Sequence, residues 1–241
     1  MNKTTAIIIG IIILCFGGFV TWSILSSESK TALLGEVDTA SIIQPSDLNG
    51  NIGDHVRGNA DSQTIFVEYA DFQCPGCASF HPRVDNLLEE YGDRVAFVFR
   101  NFPIKDHPNA RAAAAAAEAA GLQGYFFEMA EILYANQATW SYASGAERTG
   151  IFTDMFLRVF SGGDVDKFQS DMASSRVSQK ITFDYELGKR DGVTGTPSFH
   201  VDGERVEFPK SASVETMMSI LRDKINAQLA GSDLPADPAE E

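Results

Sequence analysis

The sequence contains little cysteine and little positive charge. Its three cysteines lie at positions 15, 74 and 77, and Cys15 falls inside an apolar run near the N-terminus. A framework of structural disulfides is therefore excluded, and the other two thiols have only each other as a partner. Lysine and arginine number 19 against 33 acidic residues, which gives a formal net charge of −14. This balance argues against nucleic acid and anionic membrane surfaces as main partners.

Charge is absent from residues 5–25, which consist almost entirely of small and large apolar side chains. Roughly 20 apolar residues are enough to cross a bilayer as a helix, whereas the apolar part of a cleaved signal peptide runs about 7–15 residues. We therefore predict an N-terminal membrane anchor over residues 1–27. Lys3 precedes the span, which favours a single-pass cell-membrane protein whose remaining chain is extracytoplasmic. The alternative is a protein secreted after cleavage of this segment.

The rest of the chain divides into three parts. Residues 28–53 are polar with little periodicity and predict a spacer, and residues 54–230 form one domain. Residues 231–241, which are rich in acid and proline, predict a disordered tail.

Cys74 and Cys77 form a C-x-x-C motif directly after a buried strand predicted at 64–69. A helix is predicted from Pro75 to about residue 91. At the start of a helix, the first thiol faces free backbone N–H groups and the positive end of the dipole, which stabilise a thiolate. Because the thiolate is the form that attacks disulfides, the motif predicts redox chemistry, with Cys74 as nucleophile and Cys77 as resolving thiol. A metal site that adds His81 is the alternative, although a surface histidine is the simpler interpretation.

The elements beyond the motif predict an α/β fold. A second strand is predicted at 94–100, followed by a helical stretch that includes the alanine-rich residues 112–120. A β-hairpin of strands 198–201 and 204–208 turns at Asp202-Gly203, and a final helix covers about 214–229. Trp140, Tyr142 and the aromatic residues between 125 and 134 are interpreted as core of the helical stretch.

With these motifs, the chain resembles the DsbA-like thiol–disulfide oxidoreductases of the thioredoxin superfamily. The resemblance covers roughly residues 54–230. It is carried by Phe72-Gln73-Cys74-Pro75-Gly76-Cys77, by Pro82 in the following helix, and by Thr194-Gly195-Thr196-Pro197 before the hairpin. It implies a thioredoxin fold with a helical domain, about residues 104–192, inserted between the second strand and the C-terminal hairpin.

The resemblance also implies the site and its partners. Cys74 and Cys77 are the expected catalytic pair, Thr196 and Pro197 a loop with a cis peptide bond beside it, and Glu68 a buried acid beneath it. Burial raises the pKa of such an acid, which could then accept the Cys77 proton. No organic cofactor or metal is expected beyond the redox-active disulfide.

The function implied is the introduction of disulfides into reduced or unfolded exported proteins, with re-oxidation by a quinone-coupled membrane partner of the DsbB or vitamin-K-epoxide-reductase type. Two alternatives stay open at this stage. The first is a disulfide reductase or isomerase kept reduced by a membrane donor, and Gly76 keeps it open because DsbA-like oxidants often carry a histidine or an aromatic residue at that position. The second is a metal-binding chaperone.

Overall fold

The computed structural model describes residues 33–232. Residues 33–38 belong to one compact unit, in which residues 33–35 are helical, and residues 39–232 belong to another. The predicted anchor over residues 1–27 lies outside the described residues, as does the tail from 233 onward. Within residues 33–232, no helix has the length and apolar character needed to cross a membrane. The anchor therefore stays a prediction.

Within residues 39–232, five strands form a single mixed sheet. The strands are β1 (His55–Gly58), β2 (Ile65–Ala70), β3 (Ala96–Asn101), β4 (Ser198–Val201) and β5 (Glu204–Arg205). Their spatial order is β1-β3-β2-β4-β5, with β2 and β3 parallel and the other neighbouring pairs antiparallel. The predicted hairpin is confirmed, although its second strand ends at Arg205 rather than at residue 208.

The helices follow the predicted order. They are α1 (Pro75–Tyr91), α2 (Ala110–Gly121), α3 (Phe126–Ala135), α4 (Gln137–Trp140), α5 (Gly145–Val159), α6 (Val165–Met172), α7 (Ser175–Arg190) and α8 (Val214–Ser232). Helices α2–α7 lie between β3 and β4, which confirms the helical insertion predicted at about 104–192. Helix α8 continues two residues into the segment predicted as tail.

Both faces of the sheet are buried, which explains the nearly continuous apolar strands. On one face Phe66 and Phe199 join the large core cluster together with residues of α1 and α8. On the other face Val67 and Tyr69 pack in a smaller cluster with Val98 of β3. Because side chains alternate along a strand, Glu68 shares the face of Phe66.

The alanine-rich segment forms helix α2, as predicted, and most of its alanines are fully buried. Short side chains let the neighbouring helices of the insertion approach it closely. Trp140 is also fully buried, which confirms its assignment to the core. The assignment was wrong for Tyr142, which is 88% exposed, because it lies two residues beyond the end of α4, where the chain has left the helix.

Residues 39–53, which the sequence assigns to a spacer, lie in the same compact unit as the sheet. The fully buried Arg100 of β3 donates to Asp54, with Nη2 2.8 Å from Oδ2, and to two backbone carbonyl oxygens of residues 39–41. The equally buried Lys180 contacts Asp54 at 3.2 Å and Asp184 at 2.7 Å. Since buried charges need close partners, this segment completes the fold, and the compact unit begins earlier than the predicted boundary at residue 54.

Candidate active site

The turn between β2 and α1 is shaped by the buried Asp71. Its Oδ1 accepts the backbone N–H of Gln73 at 2.7 Å, and its backbone carbonyl accepts the N–H of Cys74 at 3.0 Å. Its Oδ2 accepts the Ile104 N–H at 2.8 Å and lies 2.6 Å from His107 Nδ1. Asp71 therefore joins the loop before the C-x-x-C motif to the segment that leaves β3.

The two cysteines differ in burial, as the sequence predicts. Cys74 is the N-cap of α1 and is 9% exposed, whereas Cys77, in the first turn, is completely buried. A hydrogen bond from Cys77 lowers the pKa of Cys74 to about 5, helped by the Thr196 side chain and the backbone N–H groups of Cys77 and Gly76 and opposed by burial. Burial raises the pKa of Cys77 well above its usual value, and the charges of Cys74 and Glu68 raise it further. The site therefore favours a thiolate at Cys74 and a thiol at Cys77.

The loop before β4 completes the surroundings of Cys74. The Thr196–Pro197 peptide bond is cis, which confirms the expectation from the resemblance. In its protonated form, the Cys74 thiol donates to the Thr196 carbonyl oxygen over 3.4 Å. The Thr196 hydroxyl is buried and has no hydrogen-bond partner among the described residues, and its side chain helps to lower the pKa of Cys74. A Cβ added to Gly76 would lie 3.4 Å from Cys74 Sγ and 3.4 Å from Pro197 Cδ, so glycine leaves the sulfur uncovered on this side.

Glu68 lies in the middle of β2 and is 3% exposed. Its register partners on the two neighbouring strands are Phe99 and Phe199. Burial among these rings raises its pKa to about 8, and the charges of Asp85 and Cys74 add to the shift. The predicted burial is thus confirmed, and Glu68 carries its proton at neutral pH. Its role in proton transfer stays a prediction.

His81 was predicted to be a surface residue, and this was wrong. Its side chain is 14% exposed because its ring packs on Tyr134 of α3, with centroids 4.9 Å apart. Its Nε2 lies 3.6 Å from Asp85, one turn further along α1. Burial lowers the pKa of His81. Within residues 33–232, no three histidine, cysteine or acidic side chains are arranged to hold a metal ion.

Two glutamines to which the sequence assigned no role join this loop to the insertion. Gln137 of α4 donates to the carbonyl oxygens of Phe72 and Cys74, and Gln73 donates to the carbonyl oxygen of Ser141. No motif marks Gln137, because it lies 63 residues after Cys74 in the chain and meets it only in the folded protein.

The family model described as Thioredoxin matches residues 50–223 of the sequence. This range contains the sheet, the C-x-x-C motif, the insertion and the Thr196-Pro197 loop. The chain belongs to the thioredoxin family. The family assignment agrees with the predicted resemblance, and the fold is the one seen in DsbA-family thiol–disulfide oxidoreductases.

Solved structures share this fold. A thioredoxin-like oxidoreductase from Silicibacter pomeroyi superposes with a TM-score of 0.57 at 28% identity, covering 76% of this chain and 96% of that one. Oxidised BdbD from Bacillus subtilis superposes with a TM-score of 0.61 at 21% identity, covering 79% of this chain and 98% of that one. At 21% identity, the similarity to BdbD shows a shared fold alone.

Among curated relatives, a Na⁺/H⁺ antiporter NhaA of Mycolicibacterium vanbaalenii is 36% identical over 164 residues. The match covers 66% of this chain and 25% of the antiporter. An NhaA of Salinispora tropica is 39% identical over 160 residues, 65% of this chain and 22% of that protein. The chain therefore spans about a quarter of the length of these relatives.

Proposed function

We propose that this protein is an extracytoplasmic thiol–disulfide oxidoreductase that introduces disulfides into exported proteins by exchange at Cys74 and Cys77. The observation that carries the proposal is the unequal placement of the two thiols, since Cys74 is the N-cap of α1 beside the cis Thr196–Pro197 bond and Cys77 is completely buried. A hydrogen bond from Cys77 lowers the pKa of Cys74 to about 5, whereas burial raises that of Cys77. A stabilised Cys74 thiolate favours the reduced form of the enzyme and therefore makes its disulfide a better oxidant.

The exchange proceeds in two steps, starting from the Cys74–Cys77 disulfide. A substrate thiolate attacks Cys74 Sγ, forms a mixed disulfide, and displaces Cys77 as a thiolate. We infer that Glu68, which is protonated at neutral pH and whose charge would raise the pKa of Cys77, supplies the proton that the buried thiolate takes up. The second substrate thiolate then attacks the substrate sulfur, so that a substrate disulfide forms and Cys74 leaves as the stabilised thiolate.

The balance of this reaction requires an oxidant, because two electrons pass from the substrate dithiol to the enzyme. We propose that a membrane thiol oxidase coupled to a quinone, of the DsbB or vitamin-K-epoxide-reductase type, removes them, as the resemblance implies. Two features support a location on the oxidising side of the cell membrane. One is the predicted anchor over residues 1–27, and the other is that Cys74 and Cys77 are the only cysteines in the sequence after this anchor. The match to the antiporters covers about a quarter of their length, so it carries no argument for ion transport by this chain.

The reduction potential of the Cys74–Cys77 pair tests the direction of exchange. Equilibration with glutathione is expected to give a value between about −120 mV and about −200 mV, whereas a value near about −270 mV is typical of a reductase. The second result would overturn the oxidant assignment in favour of a reductase.

A Cys77→Ala variant tests the substrates in cells. It is expected to accumulate mixed disulfides between Cys74 and exported proteins, which diagonal gel electrophoresis separates. A Cys74→Ala variant is the matched control, because it keeps the buried thiol and lacks the attacked sulfur. Equal trapping by both variants would contradict the assignment of Cys74 as the exchanging residue.

A further inference from the structure

The helical insertion holds the redox loop through two glutamine side chains that point in opposite directions. Gln137, the first residue of α4, donates from Nε2 to the carbonyl oxygens of Phe72 at 2.6 Å and Cys74 at 3.0 Å. In return, Gln73 of the redox loop donates to the Ser141 carbonyl oxygen at 2.8 Å. The insertion and the redox loop thus each donate from a side-chain amide to backbone carbonyl oxygens of the other.

The bond to Cys74 acts on the peptide group at the start of α1. The Cys74 carbonyl oxygen already accepts the first helical bond, from the backbone N–H of Ala78 at 3.1 Å. Gln137 is a second donor to the same oxygen, so both of its acceptor positions are used and the orientation of the peptide group is fixed. The next two N–H donors in the chain, from Gly76 and Cys77, are the ones that stabilise the Cys74 thiolate.

The residues of the insertion that contact the redox loop are themselves held by hydrogen bonds. Asn109, which precedes α2, donates its backbone N–H to Gln73 Oε1 at 2.7 Å and its side-chain amide to the carbonyl oxygens of Trp140 and Ser141. Arg148 of α5 donates to the Asn109 side-chain oxygen. The chain segments before α2 and around α4 and α5 are therefore tied together where they meet the redox loop.

We propose that Gln137 is a positioning residue for the Cys74 thiolate, by which the helical insertion keeps the first turn of α1 aligned with the Cys74 sulfur. The inference rests on the proposed thiol exchange and deepens it. Gln137 touches neither sulfur. Gln137 acts through the Cys74 carbonyl group. Without Gln137, the Cys74 carbonyl oxygen keeps only the hydrogen bond from the Ala78 N–H, so the first turn of α1 is held in register by one of these two bonds instead of both.

The test compares Gln137→Met with Gln123→Met. Methionine keeps the length of glutamine and removes its N–H donors. Gln123 is a matched control because it also lies in the insertion and makes two backbone hydrogen bonds, both to Asp164. The measurement is the pH midpoint of the ultraviolet absorbance of the Cys74 thiolate in the reduced protein. The alkylation rate with iodoacetamide across the same pH range provides a second readout.

For Gln137→Met, the midpoint is expected to rise by about half to one pH unit, the size of one net hydrogen bond. From a starting pKa of about 5, this lowers the thiolate fraction at pH 5 about two- to fivefold and leaves it unchanged at pH 7.5. Gln123→Met is expected to leave the midpoint where it is. A loss of fold stability alone does not produce a shift that is confined to acidic pH.

An unchanged midpoint in folded Gln137→Met would overturn the inference, and so would an equal shift in Gln123→Met. If the methionine variant does not fold, Gln137→Asn carries the same test, because its shorter side chain cannot reach both carbonyl groups. A wild-type midpoint near 9 would instead contradict the thiolate chemistry of the proposed function. The two failures are therefore distinguishable.

Discussion

Glu68→Gln replaces an ionisable side chain between Phe99 and Phe199 with a neutral amide of nearly the same shape. In the reduced protein, burial raises the pKa of Glu68 from 4.5 to about 8. Because the folded-state pKa lies above the unfolded value, the contribution of Glu68 to stability is fully present below about pH 4.5 and is lost as the pH rises through about 8. The variant lacks this loss.

The expected gain follows from the two pKa values. At about 1.4 kcal/mol per pKa unit, ionisation of Glu68 in the unfolded chain, which burial opposes in the folded protein, lowers the free energy of unfolding by about 3 kcal/mol at pH 7 and about 4 kcal/mol at pH 8. Glu68→Gln should therefore be more stable than the wild type by up to these amounts, with almost no difference at pH 4. Urea unfolding of the reduced proteins at the three pH values measures this directly.

The control is Glu89→Gln, an exposed carboxyl on α1. It is expected to change the free energy of unfolding by less than about 0.5 kcal/mol at each pH. The reasoning would be refuted if Glu68→Gln were no more stable than the wild type at pH 8, or if its gain were the same at pH 4 as at pH 8.

Three further predictions concern the thiolate and the buried ion pairs. In the reduced wild type, alkylation of Cys74 should be half-maximal near pH 5, and a midpoint near 9 would show that its surroundings do not stabilise the thiolate. Thr196→Val should raise that midpoint by about one unit, since it removes a donor to the thiolate, while Ser198→Ala on β4 should not. Asp54→Asn should lower the free energy of unfolding by about 3 kcal/mol in urea titrations, because it leaves two buried cations short of a partner. Asp171→Asn, which breaks a surface ion pair of α6, should cost under about 1 kcal/mol, and equal losses in these two variants would contradict the argument.

The sequence alone determined the parts of this protein that depend on neighbouring residues. The apolar run of β2, the C-x-x-C motif, and proline at the first helical position place Cys74 at a helix start whatever surrounds it. The turn at Asp202-Gly203 sets the C-terminal hairpin by the same local chemistry. The order of these elements predicted an α/β fold with a long helical stretch, and the resemblance to DsbA-like oxidoreductases implied the thioredoxin fold with its helical insertion.

The tertiary structure decided the environment of the cysteines. Thr196 lies 122 residues after Cys74 and meets it through the pairing of β2 with β4. The pKa of Glu68 depends on the rings that flank it in the sheet, and the contact of Gln137 with Cys74 depends on how the insertion docks. The same holds for residues 39–53, whose polar sequence predicts a spacer. In the folded protein, the buried Arg100 donates to backbone carbonyl oxygens at the start of this segment, which makes the segment part of the compact unit. Local patterns could not reveal these features, because burial and charge partners are properties of packing between distant segments.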